Sequence, residues 1–310
     1  MQPKGILDYV GNTPLVEISR MSPKPGVRIF AKLEGYNPTG SIKDRVAGYM
    51  IRDAEEKGIL RPGQTLIEAS TGNTAMALAL IAKQRGYKMK AVVSTKATPG
   101  MAELLEMHDV EVIWCEPLAG MKGAIDLAKR LSQEKGWFTH CQFESQANVL
   151  AHYETTGPEI LRALPEVDVF IAGIGTGGTL MGVGQRLKEH NPQVKVIGVE
   201  PRMGDPLQGL RSLEEGYIPP LLDLARLDGR FLVDSRAAFA CARAVLEVEG
   251  IFAGVSSGAV LHCAQRMAER MERGNIVVIF ADGGWKYLAS GPWREAAQAR
   301  VEHPDDMAWW

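Results

Sequence analysis

Four short segments hold side chains whose type and spacing suit chemistry. The first is Asn37-Pro38-Thr39-Gly40-Ser41-Ile42-Lys43-Asp44-Arg45, a turn that ends where a helix begins, with Lys43 at the first helical positions. A lysine there feels the positive helix end and the neighbouring Arg45. Both disfavour the ammonium form and so lower its pKa. A neutral amine is what imine formation or proton abstraction requires. Taken alone, the segment reads better as a solvated lysine in a charged first turn. The second segment, Ser70-Thr71-Gly72-Asn73-Thr74, gathers hydroxyls, an amide and backbone N–H groups at a helix N-terminus, an anion site sized for a carboxylate or phosphate. The competing reading is an ordinary Ser/Thr/Asn cap.

The third segment is Gly173-Ile174-Gly175-Thr176-Gly177-Gly178-Thr179, which follows an apolar strand and precedes a helix. Glycines let the backbone approach a phosphate closely, and the threonines add hydroxyls. Gly173, Gly175 and Gly178 also fit G-x-G-x-x-G, and Glu200 falls near the acid that a dinucleotide site requires. The abundance of threonine and the absence of a Walker lysine favour a single phosphate monoester. The fourth segment, Gly254-Val255-Ser256-Ser257-Gly258-Ala259, again opens a helix. A serine there either donates to a ring nitrogen or caps the helix, and in isolation the cap is the better reading.

The elements that position these segments alternate. Short β-branched runs at 27–33, 65–68, 89–94, 110–114, 167–172, 194–199 and 276–280 read as strands. Helical patterns at 44–58, through Gln84, at 102–107 and 121–133, and from Leu180 lie between them. Such alternation implies an α/β protein with a parallel, doubly covered sheet, or two of them. A boundary falls near residue 150, and 310 residues suit two domains or one large one. From about Arg294 the periodicity is lost, yet the Met307-Ala308-Trp309-Trp310 end is too apolar for a solvated tail and is expected to dock.

Composition narrows the function classes. With 35 Lys+Arg against 37 Asp+Glu, the net charge of −2 leaves no basic excess for nucleic acid. A hydrophobic content of 45% excludes disorder as the main state. Cys115, Cys141, Cys241 and Cys263 form no C-x-x-C pair, so neither a zinc ribbon nor a thioredoxin-type site is indicated, and no metal is expected. The chain shows no apolar signal core at its N-terminus and no run long enough to span a bilayer. A cytoplasmic, soluble protein is expected, and its Met-rich and aromatic composition suggests a homodimer.

Taken together and in this order, the segments resemble the cysteine synthase branch of the pyridoxal-phosphate enzymes of the β-family (fold type II). The likeness runs from Gly11-Asn12-Thr13-Pro14-Leu15 to Ala281-Asp282-Gly283-Gly284-Trp285-Lys286-Tyr287-Leu288. The stretch Gly250-Ile251-Phe252-Ala253-Gly254 and the Trp285 to Leu288 block look most like the B-type enzymes, including those that accept O-phosphoserine. The resemblance implies a tryptophan synthase β-like fold. Its smaller, mobile α/β domain would be 41–149 and its larger one 1–40 plus 150–310, each a mostly parallel twisted sheet flanked by helices, with the cofactor in the cleft between them.

By the same resemblance, Lys43 holds pyridoxal 5'-phosphate as an internal imine, Asn73 bonds its ring hydroxyl oxygen, and Gly175, Thr176, Gly177, Gly178 and Thr179 cradle its phosphate. Ser256 faces the pyridine nitrogen. Ser70, Thr71, Gly72, Asn73 and Thr74, with Gln142, bind the substrate carboxylate, and Arg211 pairs with a phosphate leaving group or else sits in a surface ion pair with Glu214 or Glu215. The implied reaction is a β-replacement that makes L-cysteine from an O-activated L-serine through an aminoacrylate, with Lys43 taking and returning the α-proton. O-phosphoserine stands slightly ahead of O-acetylserine. The sulfur donor is open among sulfide, thiosulfate and a protein thiocarboxylate. A serine at the ring nitrogen, unlike an aspartate, favours elimination and replacement over transamination. The family often carries Ser-x-Glu-Arg-Arg where this chain has Thr98-Pro99-Gly100-Met101-Ala102, so lid closure, substrate choice or partner binding is expected to differ. A serine or threonine dehydratase of the same fold, and a cofactor-binding paralogue with a regulatory role, are the alternatives. The Trp310 carboxylate is further expected to be able to mimic a substrate carboxylate.

Overall fold

The computed structural model describes residues 5–70, 72–95, 99–116, 120–290 and 307–308. The first half of the chain forms β1 (Leu15–Glu17), β2 (Val27–Leu33), α1 (Lys43–Glu56), β3 (Thr65–Ala69), α2 (Asn73–Arg85), β4 (Lys88–Ser94), α3 (Pro99–Met107), β5 (Glu111–Cys115), α4 (Gly120–Lys135) and α5 (Gln146–Ala151). The second half forms α6 (Gly157–Ala163), β6 (Val169–Gly173), α7 (Gly178–His190), β7 (Lys195–Pro201), β8 (Gly229–Val233), α8 (Ser235–Glu249), α9 (Val255–Arg270), β9 (Gly274–Phe280) and β10 (Met307–Ala308). Two compact units result, Met1–Val10 with Asn37–Asn148, and Gly11–Tyr36 with Val149–Trp310.

The first unit is built on a parallel sheet of order β3-β4-β5. The outer side of β3 is extended by Phe138, which accepts from the Ile67 N–H and donates to the Thr65 carbonyl, both at 2.8 Å. That pairing carries the chain directly into the turn at 139–142. In α1, Val46, Ala47, Met50, Ile51 and Ala54 recur at helical spacing, and all are buried. Its close neighbour α2 is alanine-rich and apolar nearly all round, and it stops at Gly86, which adopts φ +76° and returns its N–H to the Ala82 carbonyl. Helix α3 starts at Pro99 rather than at the expected 102. A proline tolerates the first turn, where no N–H is needed, so Pro99-Gly100 opens the helix instead of forming a loop. Thr98 lies outside the described residues.

The second unit holds a seven-stranded sheet of order β1-β2-β9-β6-β7-β8-β10. The five inner strands are parallel, and the short edge strands β1 and β10 run antiparallel. From β6 the order runs outward to β7 on one side and to β9 on the other, so the topological switch lies between β6 and β9, where α/β sheets place ligands beyond their carboxyl ends. The expected docking of the C-terminal stretch is met by Met307 and Ala308, which pair with Phe231 and Arg230 of β8. Trp309 and Trp310 lie outside the described residues. Cys115, Cys241 and Cys263 are buried, and all four thiols are free.

Helices α8 and α9 touch through Gly258. A Cβ there would meet the Ala238 carbonyl oxygen at 1.9 Å and the Ala242 nitrogen at 2.7 Å, so only glycine lets the backbones approach this closely. Gly258→Ala is expected to cost about 2–3 kcal/mol, because backbone and not a flexible side chain must give way. A denaturant melt checks this, the midpoint falling with an unchanged slope.

Candidate active site

In the first unit, the Pro-Thr-Gly-Ser turn is stapled to α1. Asp44 accepts from the Thr39 N–H at 2.7 Å and also from the Thr39 hydroxyl. The Gly40 N–H closes the turn on the Asn37 carbonyl at 2.8 Å, with Gly40 at φ +78°. The Asp44 carboxylate favours the positive helix end as well. Lys43 is thereby fixed as the first residue of α1, its N–H on the Ser41 hydroxyl at 3.3 Å and its side chain half-buried, with Arg45 buried beside it.

The Ser70 to Thr74 loop follows β3. The Ser70 hydroxyl oxygen accepts the N–H groups of Gly72 and Ala75, at 3.3 and 3.2 Å. Ser70 therefore caps α2, and its own proton is left to donate. Asn73 opens α2 half-buried, and Thr74 behind it is buried. Thr74 donates to Gln142 Oε1 at 2.7 Å. The structure thus brings Ser70, Gly72, Asn73, Thr74 and Gln142 together across sequence distance. Gln142 is only 5% exposed, yet its Nε2 has no hydrogen-bond partner among the described residues. Thr71 lies outside the described residues.

In the second unit, the glycine turn joins β6 to α7. Gly177 adopts φ +89°, and a Cβ on it would come within 2.9 Å of Leu222 Cβ and 3.0 Å of its nitrogen. A Cβ on Gly175 would meet the Gly209 carbonyl oxygen at 3.1 Å. Segment 207–222 therefore lies against the turn, and Arg211 is tied to it by an N–H bond to the Ile174 carbonyl at 2.8 Å. The Arg211 guanidinium lies 5.4 Å from the Tyr217 ring centre, and burial lowers its pKa. Gly209 also brings the Ser256 end of α9 near, since a Cβ there would lie 4.0 Å from Ser256 Oγ. Asp282 accepts from the Tyr287 hydroxyl at 2.6 Å and returns its carbonyl to the Gly254 N–H at 2.9 Å. The Asp282 to Tyr287 block thus sets the entry of α9, where Ser256 is buried and the Ser257 hydroxyl, fully buried, has no partner among the described residues.

Three features of the second unit escaped the sequence reading. His152 is fully buried in a π-helical turn, with Nδ1 3.0 Å from the Thr156 hydroxyl and Nε2 3.2 Å from the Thr179 hydroxyl, so it orients a residue of the glycine turn. Its signal was the helical spacing of His152 and Thr156. The Gly11-Asn12-Thr13 signature proves to be an anchor. Asn12 donates to Glu159 at 2.9 Å, and buried Lys32 donates to the Thr13 hydroxyl at 2.7 Å and to Glu159 at 2.6 Å. Glu200 is consumed internally, accepting from the Leu213 N–H at 2.6 Å and from Arg230 at 2.9 Å. It is not presented to a ribose, so the dinucleotide reading loses its acid.

The sequence model of one protein family, described as pyridoxal-phosphate dependent enzyme, matches residues 6–282. The chain belongs to that family. Among the relatives it resembles is cysteine synthase B of Pseudomonas aeruginosa, 40% identical over 287 residues, which span 92% of this chain and 96% of that one. In structure it is similar to O-ureido-L-serine synthase, with a TM-score of 0.91 at 34% identity, covering 97% of this chain and 98% of the other. It is also similar to the O-acetylserine dependent cystathionine beta-synthase of Helicobacter pylori, with a TM-score of 0.88 at 32% identity over 94% and 99% of the two chains. The fold is that of the fold type II enzymes, and the chain depends on pyridoxal phosphate.

The residues present fit this cofactor. The turn at Gly175 and Gly177 is a cradle that any Cβ would obstruct, at the N-terminus of α7, and its donors are backbone N–H groups and threonine hydroxyls suited to a phosphate monoester. Gly177→Ala is expected to strain the turn by about 1–2 kcal/mol and to speed cofactor loss about tenfold. Release of cofactor absorbance on dilution measures this directly.

Proposed function

We propose that this protein is a cysteine synthase, which replaces the β-oxygen substituent of an O-activated L-serine by sulfur. The observation that carries the reading is the Gln142 amide, whose Nε2 is held beside the donors of the Ser70 to Thr74 loop without an acceptor among the described residues. A buried donor pair of this kind gains most from an anion. The α-carboxylate of an amino acid supplies one. The names of the relatives agree, since a cysteine synthase and an O-acetylserine dependent enzyme stand among them.

The chain's own residues divide the work. Lys43 Nζ would be the group that holds the cofactor. Its free amine would take the proton from the substrate α-carbon as the β-oxygen substituent leaves, and would return that proton once sulfur has joined the β-carbon. Asn73 would orient the ring through its hydroxyl oxygen, and Ser256 would face the ring nitrogen without fixing a proton on it. Gly175 to Thr179 would hold the phosphate, with Thr179 held by His152. Bound pyridoxal phosphate supplies the electron-withdrawing ring that acidifies the α-carbon. Each turnover would consume one sulfur atom, which no side chain of the enzyme can supply repeatedly, so the donor is a second substrate. Sulfide is the simplest donor, and a protein thiocarboxylate is the larger alternative. Free thiols throughout agree with a reducing cytoplasm, and exposed Tyr9, Tyr36, Trp114 and Trp285 with a homodimer.

The purified protein is expected to be yellow and Lys43→Ala to lose turnover. L-cysteine should form only when sulfide is supplied. Release of pyruvate at the same rate with and without sulfide would instead identify a dehydratase. Arg211 decides the leaving group, because a half-buried guanidinium gains from a phosphate dianion and little from an acetyl ester. Arg211→Ala is expected to raise KM for O-phosphoserine about tenfold while leaving KM for O-acetylserine within about twofold. Equal changes for both esters would remove Arg211 from donor selection.

A further inference from the structure

Glu68, near the end of β3, is an acid in an unusual place. It is 3% exposed, and no cationic side chain pairs with it among the described residues. Lys129 of α4, whose charge acts on Glu68, is engaged with Glu144 at 2.7 Å. The groups that face the Glu68 carboxyl belong to one turn. Oε1 accepts from the Gln142 N–H at 3.4 Å, the Cys141 N–H also contributes, and Oε2 faces the Thr139 hydroxyl at 3.5 Å. Burial pushes this carboxyl up to about 7, against the pull of those N–H groups. A buried acid without a counter-ion is costly, and core packing alone would be served better by an apolar residue.

The turn itself needs holding. Cys141 adopts φ +54°, a conformation that residues other than glycine rarely take. Gln142 follows directly and is gripped on every side except one. Its N–H goes to Glu68, its carbonyl accepts from Asn148 Nδ2 at 2.9 Å, and its Oε1 accepts from Thr74 at 2.7 Å. Among the described residues, only the Nε2 hydrogens are left over. We propose that Glu68 is a positioning residue for substrate recognition: it fixes the Cys141-Gln142 turn so that the Gln142 Nε2 is aimed at the α-carboxylate of the incoming amino acid. The inference rests on the reading above that Gln142 binds that carboxylate.

The test is a double-mutant cycle in the holoenzyme, with steady-state kinetics on O-acetyl-L-serine and cofactor absorbance confirming the fold. Gln142→Ala is expected to raise KM about tenfold, Glu68→Ala to raise it similarly, and the double variant to go no more than about twofold beyond Gln142→Ala alone. In each, kcat should change less than about threefold, since the lost contact serves ground state and transition state alike. Glu68→Gln keeps an acceptor oxygen in the same volume and should return KM to within about threefold of the parent. If Glu68→Ala does not fold, Glu68→Met fills the space without an acceptor and takes its place. Multiplying effects of the two substitutions, or a lower melting midpoint with KM unchanged for Glu68→Ala, would overturn the positioning role while leaving Gln142 as the carboxylate ligand. An unchanged KM for Gln142→Ala would overturn the carboxylate reading and the inference together.

Discussion

Hydrogen-bond donors at the ends of strands are the feature on which the candidate residues of each unit depend. A peptide or amide N–H shut away from water costs free energy until something accepts from it, and native proteins leave few such groups. Here they occur where strands hand over to helices. The Gln142 Nε2 has no partner among the described residues near the start of α2, and the glycine turn opens α7 with its backbone N–H end. The first group suits a carboxylate and the second a phosphate, and each belongs to a unit with its own parallel sheet. Parallel sheets make such places unavoidable, because every strand must leave at its carboxyl end into a helix whose first N–H groups lack partners.

Most strands were legible as short β-branched runs, since a strand buried on both faces has no polar alternation to confuse it. Strands β2, β4, β6, β7 and β9 fall within two residues of where their apolar runs place them. The edge strands were not. Leu15–Glu17 and Met307–Ala308 are too short to show a period, and their pairing depends on β2 and β8, remote in sequence for the second of them. The start of α3 was misplaced because Pro-Gly reads as a turn, whereas a proline at a first helical position is equally comfortable.

The site was legible where its function is carried by backbone and local motif. The glycine turn and the Lys43 turn each announce themselves within nine residues, because the geometry they need is local. What sequence could not show is the support behind them. His152 reaches Thr179 across 27 positions, Glu68 reaches the 141–142 turn across more than 70, and neither has a neighbour in sequence to hint at its partner. Glu200 shows the reverse case. Its spacing from the glycines fitted a nucleotide site, but its carboxylate is already spent on Leu213 and Arg230. A motif records which residues stand near one another along the chain, and only the fold shows whether their hydrogen-bonding capacity remains available.

Burial also separates structural charge from charge kept for a ligand. Lys32 is buried, and it sits among the Thr13 hydroxyl and the Glu159 carboxylate, so its side-chain nitrogen finds its acceptors within the protein. Lys43 stands instead at a helix start, half-buried, where the dipole opposes its charge. Two lysines eleven positions apart in one chain thus stand in different surroundings, one enclosed by protein acceptors and one at the start of a helix. The first holds the opening signature in place, and the second stands where the proposed reading needs its amine.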